Sequence, residues 1–425
     1  MNLITGTKVH SHPLNESWEE APVWSEVYCK GAWVLSSYRD VAAALRDPRF
    51  SVARAARWVN SSIDPTKIAD QHQRQDKNAL REFKRLLSRS LLFIDGHAHI
   101  RLRRAIAGEF NSTALQKRAP RISGIVDQLI KNIISKATLD STGRQTIHFD
   151  YISEFAQPIP ALVIADLMGV TPEIQSQFIK SASSIATFIG SPIPTIEQAF
   201  AAQEALVKIR DYFNQMLNQP NLLDSESITA KLLKKKQKGQ ISTVEMLAQS
   251  CTLLFAGYET TRHLLGNGML ALLRHPAQWK SLQNSPELLP RALRELLRYD
   301  SPIQYTGRRL RQDVSIQGCL LRKGQLAILD IASANRDPRC FISPNRLDIN
   351  RDERNHLSFG YGPHACVGAT LTYMEANIAF QSLMKALPRL QLTSDKPLWQ
   401  SNKAYHGLTS LPLTCVLTPQ ISLAS

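Results

Sequence analysis

The stretch Phe-Gly-Tyr-Gly-Pro-His-Ala-Cys-Val-Gly at 359–368 constrains this chain more than any other part of it. Its glycines at 360, 362 and 368 let the backbone turn tightly and approach a flat object closely. Apolar residues at helical spacing follow without Gly or Pro until Pro388, which predicts a helix directly after the turn. The first N–H groups of that helix would face the sulfur of Cys366 and favour its thiolate form. We therefore predict that Cys366 is an anionic metal ligand, and the alternative is a buried structural cysteine.

These residues resemble the haem-binding loop of the cytochrome P450 family, Phe-Gly-x-Gly-x-His-x-Cys-x-Gly, and all six fixed positions are filled. The resemblance implies that Cys366 is the axial thiolate ligand of haem iron and that His364 contacts a haem propionate. It also implies that Phe359 packs near the sulfur and that Gly368 belongs to the cofactor-binding loop. The family usually continues with Leu-Ala-Arg, where this chain has Leu-Thr-Tyr at 371–373. That departure concerns a basic contact on the thiolate side of the haem and not the ligation itself.

A second motif begins at Asp95, where His99 and Arg103 stand four positions apart and share one face of a predicted helix. The segment is similar to the family's Asp-Pro-Pro-x-His-x-Arg-x-Arg-Arg, with Gly96 and His97 in place of the two prolines. By this resemblance His99 and Arg103 contact haem propionates, and a planar guanidinium suits a carboxylate partner. His97 and His99 also alternate like metal ligands on a strand, but the helical spacing of the segment favours the propionate interpretation.

The longest helical pattern covers 242–273 and contains Phe-Ala-Gly-Tyr-Glu-Thr-Thr at its centre. An Ala-Gly pair inside a helix costs stability and is typical of a helix that leaves space for another group. The pattern resembles the family's Ala-Gly-x-Glu/Asp-Thr-Thr, which implies that Ala256 borders the cofactor. By the same resemblance Glu259 and Thr260 are catalytic, with Thr260 holding a water beside dioxygen and Glu259 supplying protons. The alternative is that Thr260 caps a helix carbonyl and Glu259 forms an ordinary ion pair.

Two further motifs concern arginines. Glu295 and Arg298 stand at positions i and i+3, so they can pair on one face of a predicted helix. They match the family's buried Glu-x-x-Arg pair, which is structural and which a third arginine joins, here Arg346 or Arg351. Arg308 follows in a predicted strand and, by match, contacts a haem propionate.

Other segments resemble the parts of the family that surround the substrate. Residues 52–94 are predicted to be irregular with an apolar patch at their end, and they either cover the substrate side of the haem or form a surface loop. A Pro-interrupted stretch at 184–200 is interpreted as a lid or as a rigid loop. The lysine run at 234–238 is expected to form a solvated turn. The candidate pocket residues, by match, are Phe93, Phe188, Phe255, Ile303, Tyr305 and Leu408.

Charge and cysteine usage limit the partners. The net charge is +15, from 51 Lys and Arg against 36 Asp and Glu, which permits nucleic acid, an anionic membrane surface or an acidic protein. The charge is spread along the chain without a basic arm, so no nucleic acid is expected. The six cysteines show no CxxC spacing, and therefore no zinc site or disulfide framework is predicted. With no signal-peptide core and no apolar run of about 18 residues, we expect a soluble cytoplasmic protein without a membrane span.

The motifs follow the family's order from about residue 20 to Pro412. The resemblance implies a single cytochrome P450 domain over 1–425, mainly α with a small β-rich lobe, and with a loosely ordered segment at 1–19. The implied activity is that of a haem-thiolate monooxygenase, which inserts one oxygen atom from O2 into a hydrophobic small molecule by hydroxylation, epoxidation or a related oxidation. Natural-product biosynthesis is the expected context.

The implied cofactors are haem b (iron protoporphyrin IX) and O2, with electrons from NAD(P)H through a ferredoxin reductase and a ferredoxin. An acidic ferredoxin would suit the basic chain, and Arg101 and Arg104 are candidate docking residues. Two alternatives from other classes are a peroxide-driven haem enzyme and a catalytically silent docking module. Such relatives typically lack the acid–alcohol pair or the cysteine, whereas Glu259, Thr260 and Cys366 are all present.

Overall fold

The computed structural model describes residues 20–28, 31–54, 80–141, 143–219, 223–352, 356–394 and 396–417. The expected N-terminal segment at 1–19 lies outside them. The described chain is mainly helical with small sheets, which confirms the predicted fold class. Its helices are α1 Tyr38–Arg46, α2 Arg81–Leu87, α3 Gly96–Ala107, α4 Ser112–Gln116, α5 Ala119–Ile134, α6 Pro158–Met168, α7 Pro172–Gly190, α8 Ile196–Asn218, α9 Ile228–Gln237, α10 Thr243–Arg274, α11 Pro276–Asn284, α12 Leu289–Tyr299, α13 Ile331–Ala334 and α14 Ala369–Ala386.

The strands form two larger sheets and two hairpin-like pairs. The first sheet has the order β1-β2-β9-β6-β3, with β2 and β9 parallel and the other pairs antiparallel. The second has the order β10-β13-β5-β4. The strands are β1 Val23–Ser25, β2 Ala32–Leu35, β3 Phe50–Ser51, β4 Thr138–Leu139, β5 Gln145–Asp150, β6 Tyr305–Leu310, β7 Val314–Ile316, β8 Cys319–Leu321, β9 Leu326–Asp330, β10 Leu390–Leu392, β11 Leu398–Trp399, β12 Leu408–Ser410 and β13 Pro412–Val416.

The longest helix, α10, lies at the centre of the fold. It begins with a capping box, in which Ser242 Oγ accepts from the N–H of Glu245 and the Glu245 carboxylate accepts from the N–H of Ser242. Most of its residues are buried, as is expected of a helix that is covered on all sides. Helices α6, α7, α8 and α14 pack against it, and their apolar side chains form the main core.

Residues 52–94 differ from the prediction of irregular chain. Helix α2 and a short 3-10 turn at Leu91–Phe93 lie within this region, while 55–79 falls outside the described residues. Phe83, Leu86 and Leu87 are buried at helical spacing, and this apolar face drives the helix. The surrounding charged residues hid that short periodicity in the sequence.

Two other segments are also more regular than predicted. Helix α7 continues to Gly190 and α8 begins at Ile196, so the connection between them is only 191–195. The lid or rigid loop expected at 184–200 is therefore limited to the five residues 191–195. The lysines at 234–236 lie in the last turn of α9, where positive side chains suit the negative end of the helix dipole. The predicted exposed turn is limited to Lys238 and Gly239, directly after the helix.

Candidate functional site

A cavity of about 290 Å³ lies between α10 and the cysteine loop. Ala256 and Thr260 of α10 contribute to its wall, and so do Phe359, Cys366 and Gly368 of the loop before α14. The predicted propionate contacts from α3, β6 and the cysteine loop line the same cavity, namely His99, Arg103, Arg308 and His364. Tertiary structure thus brings together four motifs that are spread over most of the chain.

The cysteine loop has the tight turn that its glycines predict. Gly360 and Gly362 have φ angles of 69° and 77°, a left-handed conformation that side chains disfavour. A Cβ on Gly362 would lie 2.7 Å from Cγ of Arg46, so the loop also passes close to α1. The backbone N–H of Cys366 donates to the carbonyl of Phe359 at 2.7 Å and closes the turn. The loop therefore presents the Cys366 side chain at one defined point of the cavity wall.

Two opposing influences act on the Cys366 thiol. Burial raises its pKa, while hydrogen bonds from the backbone N–H groups of Gly368 and Ala369 and the charge of Arg103 lower it. The raised pKa applies to the free thiol. A bound metal ion would withdraw the proton, and the two N–H groups at the start of α14 are placed to stabilise the resulting thiolate.

The cavity wall also carries two arginines, Arg103 and Arg308, that have no acidic partner in an ion pair among the described residues. Burial and the nearby Arg54 lower the pKa of Arg308 to about 10, and Arg308 donates to Thr306 Oγ1 and the carbonyl of Gly307. Within the described parts of the chain, neither Arg308 nor Arg103 forms an ion pair, and the buried Nε2 of His99 has no hydrogen-bond partner. Two carboxylates entering here would satisfy these groups, so the residues fit the propionates of a haem.

His364 is held by an acidic neighbour. Its Nε2 lies 3.3 Å from Oδ1 of Asp95, and its ring centroid is 4.1 Å from that of His99. Burial alone would raise the pKa of Asp95, but hydrogen bonds from His364 and Ser51 outweigh it, and the pKa is lowered. The charged Asp95 therefore fixes the orientation of His364 at the edge of the cavity.

Thr260 and Glu259 face different spaces. Thr260 lines the cavity, and its Oγ1 donates to the carbonyl of Ala256 at 3.3 Å. Glu259 instead lines a separate polar cleft of about 360 Å³ that is bordered by the end of α7, the start of α8 and residues 400–409. Tyr405 is on the wall of both spaces. The structure thus contains both contacts of the alternative interpretation, namely a Thr260 hydrogen bond to a helix carbonyl and an ion pair at Glu259. The proton relay stays a prediction.

Glu259 belongs to a buried polar cluster. Its carboxylate accepts from Ser183 Oγ at 3.1 Å and from Arg262 Nη1 at 3.1 Å, and His263 Nε2 lies 3.3 Å away. Burial raises the pKa of Glu259 in spite of Arg262. Arg262 also donates to the carbonyl of Leu408. The cluster therefore connects α7 and α10 to the C-terminal β-lobe, which is the part of the chain at 390–416 that carries β10 to β13, beside the polar cleft.

The structural pair resolves the choice between two arginines. Arg298 donates to both carboxylate oxygens of Glu295, at 2.7 and 2.9 Å, and both side chains are almost fully buried. Arg351 is the third member, with Nε 3.0 Å from Glu295 Oε2. Arg346 contributes only its backbone carbonyl, which accepts from Arg298. The cluster anchors α12 to 344–351, on the segment that leads to the cysteine loop.

The pocket candidates divide into two groups. Phe255 and Ile303 line the cavity. Four others do not contribute to its wall: Phe188 packs edge-to-face on Phe83 at 4.9 Å, Tyr305 packs on Tyr28 at 5.0 Å, and Phe93 and Leu408 are buried in the core.

The sequence reasoning missed several residues of the cavity wall. Gln249, Thr252 and Leu253 lie on α10 seven, four and three positions before Ala256, on the same face. Helical periodicity from the Ala-Gly pair could have identified them. Tyr405 carries no comparable signal, because it comes from the C-terminal lobe and meets α10 only in the folded chain.

A long central helix beside a cavity that ends at a glycine-rich cysteine loop is the arrangement of haem-thiolate oxidoreductases. The family model for cytochrome P450 matches residues 24–412. The chain therefore belongs to the cytochrome P450 family, whose members are monooxygenases that use haem and O2 with electrons from a redox partner.

The relatives match this chain over most of its length. Cytochrome P450 CYP107DY1 of Priestia megaterium is 32% identical over 385 residues, which span 90% of this chain and 89% of that protein. The polyketide biosynthesis cytochrome P450 PksS of Bacillus subtilis is 30% identical over 90% of this chain and 89% of its own. A crystal structure of P450BioI in complex with an acyl carrier protein that carries hexadec-9Z-enoic acid has a TM-score of 0.79 at 28% identity, covering 91% of this chain and 93% of that one. In the described parts of the chain, every helix is too short or too polar to cross a membrane.

Proposed function

We propose that this enzyme inserts one oxygen atom from O2 into an apolar small molecule, with Cys366 as the axial ligand of haem b. The observation that carries the proposal is that Cys366, unpaired cationic groups and Thr260 line one cavity. When bound, haem would supply the activation of dioxygen and the transfer of the oxygen atom. His99, Arg103, Arg308 and His364 would hold it through its propionates.

The substrate is proposed to be a hydrophobic compound from natural-product biosynthesis. Support comes from the cavity wall, where Leu92, Leu253, Phe255 and Ile303 offer apolar surface. PksS, a relative named for polyketide biosynthesis, points to the same context. Hydroxylation or epoxidation of such a compound needs an apolar site that excludes bulk water.

We infer that the cavity and the polar cleft, which lie beside α10, have different roles in proton transfer. Thr260, on the cavity wall, would hold a water next to dioxygen, and Glu259 would receive protons from the polar cleft. The shared wall residue Tyr405 separates the cleft from the cavity. Burial raises the pKa of Glu259, which makes its carboxylate a better proton acceptor than an exposed one.

Electrons are proposed to come from NAD(P)H through a ferredoxin reductase and a small acidic ferredoxin. Arg104 is exposed on α3, the helix that also supplies His99 and Arg103 to the cavity. Arg101 is exposed as well but is already paired with Glu245. Arg104 is therefore the stronger docking candidate of the two, and a cytoplasmic location would give the enzyme access to such donors.

Ligation by Cys366 is tested by Cys366→His. Haem is expected to be retained in part, and the reduced protein with carbon monoxide is expected to lose the red-shifted band that a thiolate ligand gives. The control is Cys319→Ser, a half-buried cysteine in β8, which should leave the band unchanged. A red-shifted band in the Cys366 variant would mean that another cysteine ligates the iron.

The monooxygenase assignment is tested by an optical and product assay with NADH, a ferredoxin and its reductase. A monooxygenase reduces its haem and forms product under these conditions. A peroxide-driven enzyme forms product only with added hydrogen peroxide, and a silent docking module forms none with either. Apolar candidate substrates are found by the spectral shift that follows displacement of the water on the iron.

A further inference from the structure

Tyr373 stands in α14 where the family usually has arginine, and it has a partner that an arginine could not have. Its hydroxyl lies 3.0 Å from Nε2 of His356. His356 lies three positions before Phe359, the first residue of the cysteine loop. Both side chains are at least partly buried, and burial raises the pKa of Tyr373 to about 12. The phenol therefore remains a neutral hydrogen-bonding group.

The backbone determines which nitrogen of His356 carries the proton. The N–H of Ser358 donates to Nδ1 of His356 at 3.2 Å, so Nδ1 is an acceptor. Burial and the charges of Arg294 and Arg298 lower the pKa of His356 to about 3, which leaves the ring neutral. Its single proton is then on Nε2, and Nε2–H donates to the oxygen of Tyr373. A guanidinium has no acceptor for this proton, whereas a phenol does.

The His356–Tyr373 pair encloses the ring of Phe359. The centroid of Phe359 is 5.2 Å from that of Tyr373 at 72° and 5.6 Å from that of His356 at 53°. The contact with Tyr373 is edge-to-face and that with His356 is tilted, and together they favour one orientation of the Phe359 ring. The carbonyl of the same Phe359 accepts the N–H of Cys366 at 2.7 Å. Phe359 thus links the His356–Tyr373 pair to the backbone hydrogen bond that closes the cysteine loop.

The other side of this loop segment has its own anchor. Ser358 Oγ donates to the carbonyl of Leu297 at 2.7 Å and accepts from Asn335 Nδ2 at 2.9 Å. These contacts hold the segment to α12 and to the end of α13. On the α14 side, in the part of the chain that the structure describes, the side-chain hydrogen bond to 356–359 is the one from His356 to Tyr373. Removing it would free only that side of the loop.

We propose that Tyr373 is a positioning residue for the cysteine loop, and that its hydrogen bond with His356 fixes Phe359 and thereby the Cys366 sulfur. In this chain the pair takes the place of the basic residue that the family usually has on the thiolate side. The inference rests on the proposed ligation by Cys366. A loop that is held less firmly should protonate its sulfur and release its metal bond more readily.

The test compares four haem-loaded variants with the wild type. Tyr373→Phe and His356→Phe each keep an aromatic ring against Phe359 and remove the hydrogen bond, and the double variant removes both partners. Tyr361→Phe is the matched control, since Tyr361 is an exposed tyrosine of the same loop that stacks with Arg46 through its ring. The readouts are the ratio of the thiolate to the thiol form in the reduced carbon-monoxide spectrum, the haem midpoint potential and the rate of haem release in urea.

Tyr373→Phe is expected to lower the thiolate-to-thiol ratio by about threefold to tenfold, the range for one lost hydrogen bond. The midpoint potential should shift with it and haem release should accelerate, while Tyr361→Phe matches the wild type. The double variant should be no worse than the more affected single variant, because both changes remove the same bond.

Two results would overturn the inference while leaving ligation by Cys366 intact. One is a Tyr373→Phe protein with the ratio, potential and release rate of Tyr361→Phe, and this result is decisive even where His356→Phe fails to fold. The other is full additivity of the two single changes. A wild-type protein without any thiolate band would overturn the ligation by Cys366 together with this inference, so the two failures are distinguishable.

Discussion

Two adjacent residues of α10, Glu259 and Thr260, have opposite surroundings. Consecutive helical positions point about 100° apart, so one side chain can face the cavity while the next faces the polar cleft. Thr260 has one weak hydrogen bond, to Ala256 at 3.3 Å, and its hydroxyl can leave it for a water at little cost. Glu259 is held by Ser183 and Arg262. In a relay, Thr260 would therefore hold the water in position and Glu259 would supply the protons.

Thr260→Ala tests the relay at the residue scale. The variant should bind substrate, consume NADH and release mostly hydrogen peroxide, because no hydroxyl holds the water that passes protons to dioxygen. We expect product formed per NADH to fall by about tenfold or more. The measurement is the ratio of product and peroxide to NADH consumed.

Thr252→Ala is the matched control for this change. Thr252 lines the same cavity from the same helix and donates to the carbonyl of Ala248 at 2.6 Å, the same i−4 contact that Thr260 makes. If hydroxyls on α10 only cap helix carbonyls, the two variants should behave alike. Full coupling in Thr260→Ala would reject the relay and return the peroxide-driven and docking alternatives to consideration.

At the scale of elements, α10 is joined to the C-terminal β-lobe by close backbone approach. Arg262 donates to the carbonyl of Leu408. With the Gln400 amide turned so that its oxygen faces the same guanidinium, that oxygen accepts from it at 2.8 and 2.9 Å. Gly407 passes directly over the buried ring of His263. This contact places Tyr405 between the cavity and the polar cleft, so the junction determines how the two spaces are separated.

Gly407→Ala is expected to destabilise the protein. A Cβ at this position would lie 1.8 Å from Nδ1 of His263, and that ring is fully enclosed and cannot move aside. The expected loss in the free energy of unfolding is about 1–3 kcal/mol, as for other overpacked sites. Urea unfolding of the haem-loaded protein measures it.

The comparison for this change is Gly124→Ala in α5. A Cβ there has no heavy atom within 4 Å, and alanine is the better helix former by about 1 kcal/mol. This variant should be slightly more stable than the wild type. Equal stability of the two variants would show that the junction between α10 and the C-terminal lobe relaxes without cost.

For the whole molecule, the net charge of +15 favours an acidic electron donor. Only part of that charge is available, because many of the arginines already have acidic or carbonyl partners. Arg101 is paired with Glu245 and the carbonyl of Gln240. Arg104, on the next turn of α3, is exposed. Long-range attraction would then bring the proposed acidic donor towards α3, the helix that would also contact the haem.

Ferredoxin-supported turnover is expected to fall as salt rises, because exposed charges are screened beyond about 8 Å at physiological ionic strength. Arg104→Ala should slow ferredoxin-dependent reduction at low salt and reduce its salt dependence. Arg39→Ala, an exposed arginine of α1, serves as the control and should have a smaller effect. Substrate binding to the cavity should not depend on salt in any of these proteins, and a salt-insensitive reduction rate would contradict electrostatic docking.

The sequence by itself determined the family and the fold class, and it named the cysteine loop. Those features depend on local patterns, such as the glycines around Cys366, the helical spacing of His99 and Arg103, and the long helical pattern at 242–273. Local patterns survive in a sequence because nearby residues share one helix face or one turn. The short helix α2 escaped notice since its buried face consists of few apolar residues among many charges.

Tertiary structure alone decided which distant residues meet. It paired Arg351, and not Arg346, with the carboxylate of Glu295. It placed Tyr405 in the cavity wall, whereas Phe188 and Tyr305 lie elsewhere. It also directed Thr260 to the cavity and Glu259 to the polar cleft. It also paired Tyr373 with His356, which no spacing in the sequence indicates. The physical reason is that these contacts join elements far apart in the chain, and their geometry is set by how whole helices pack around α10.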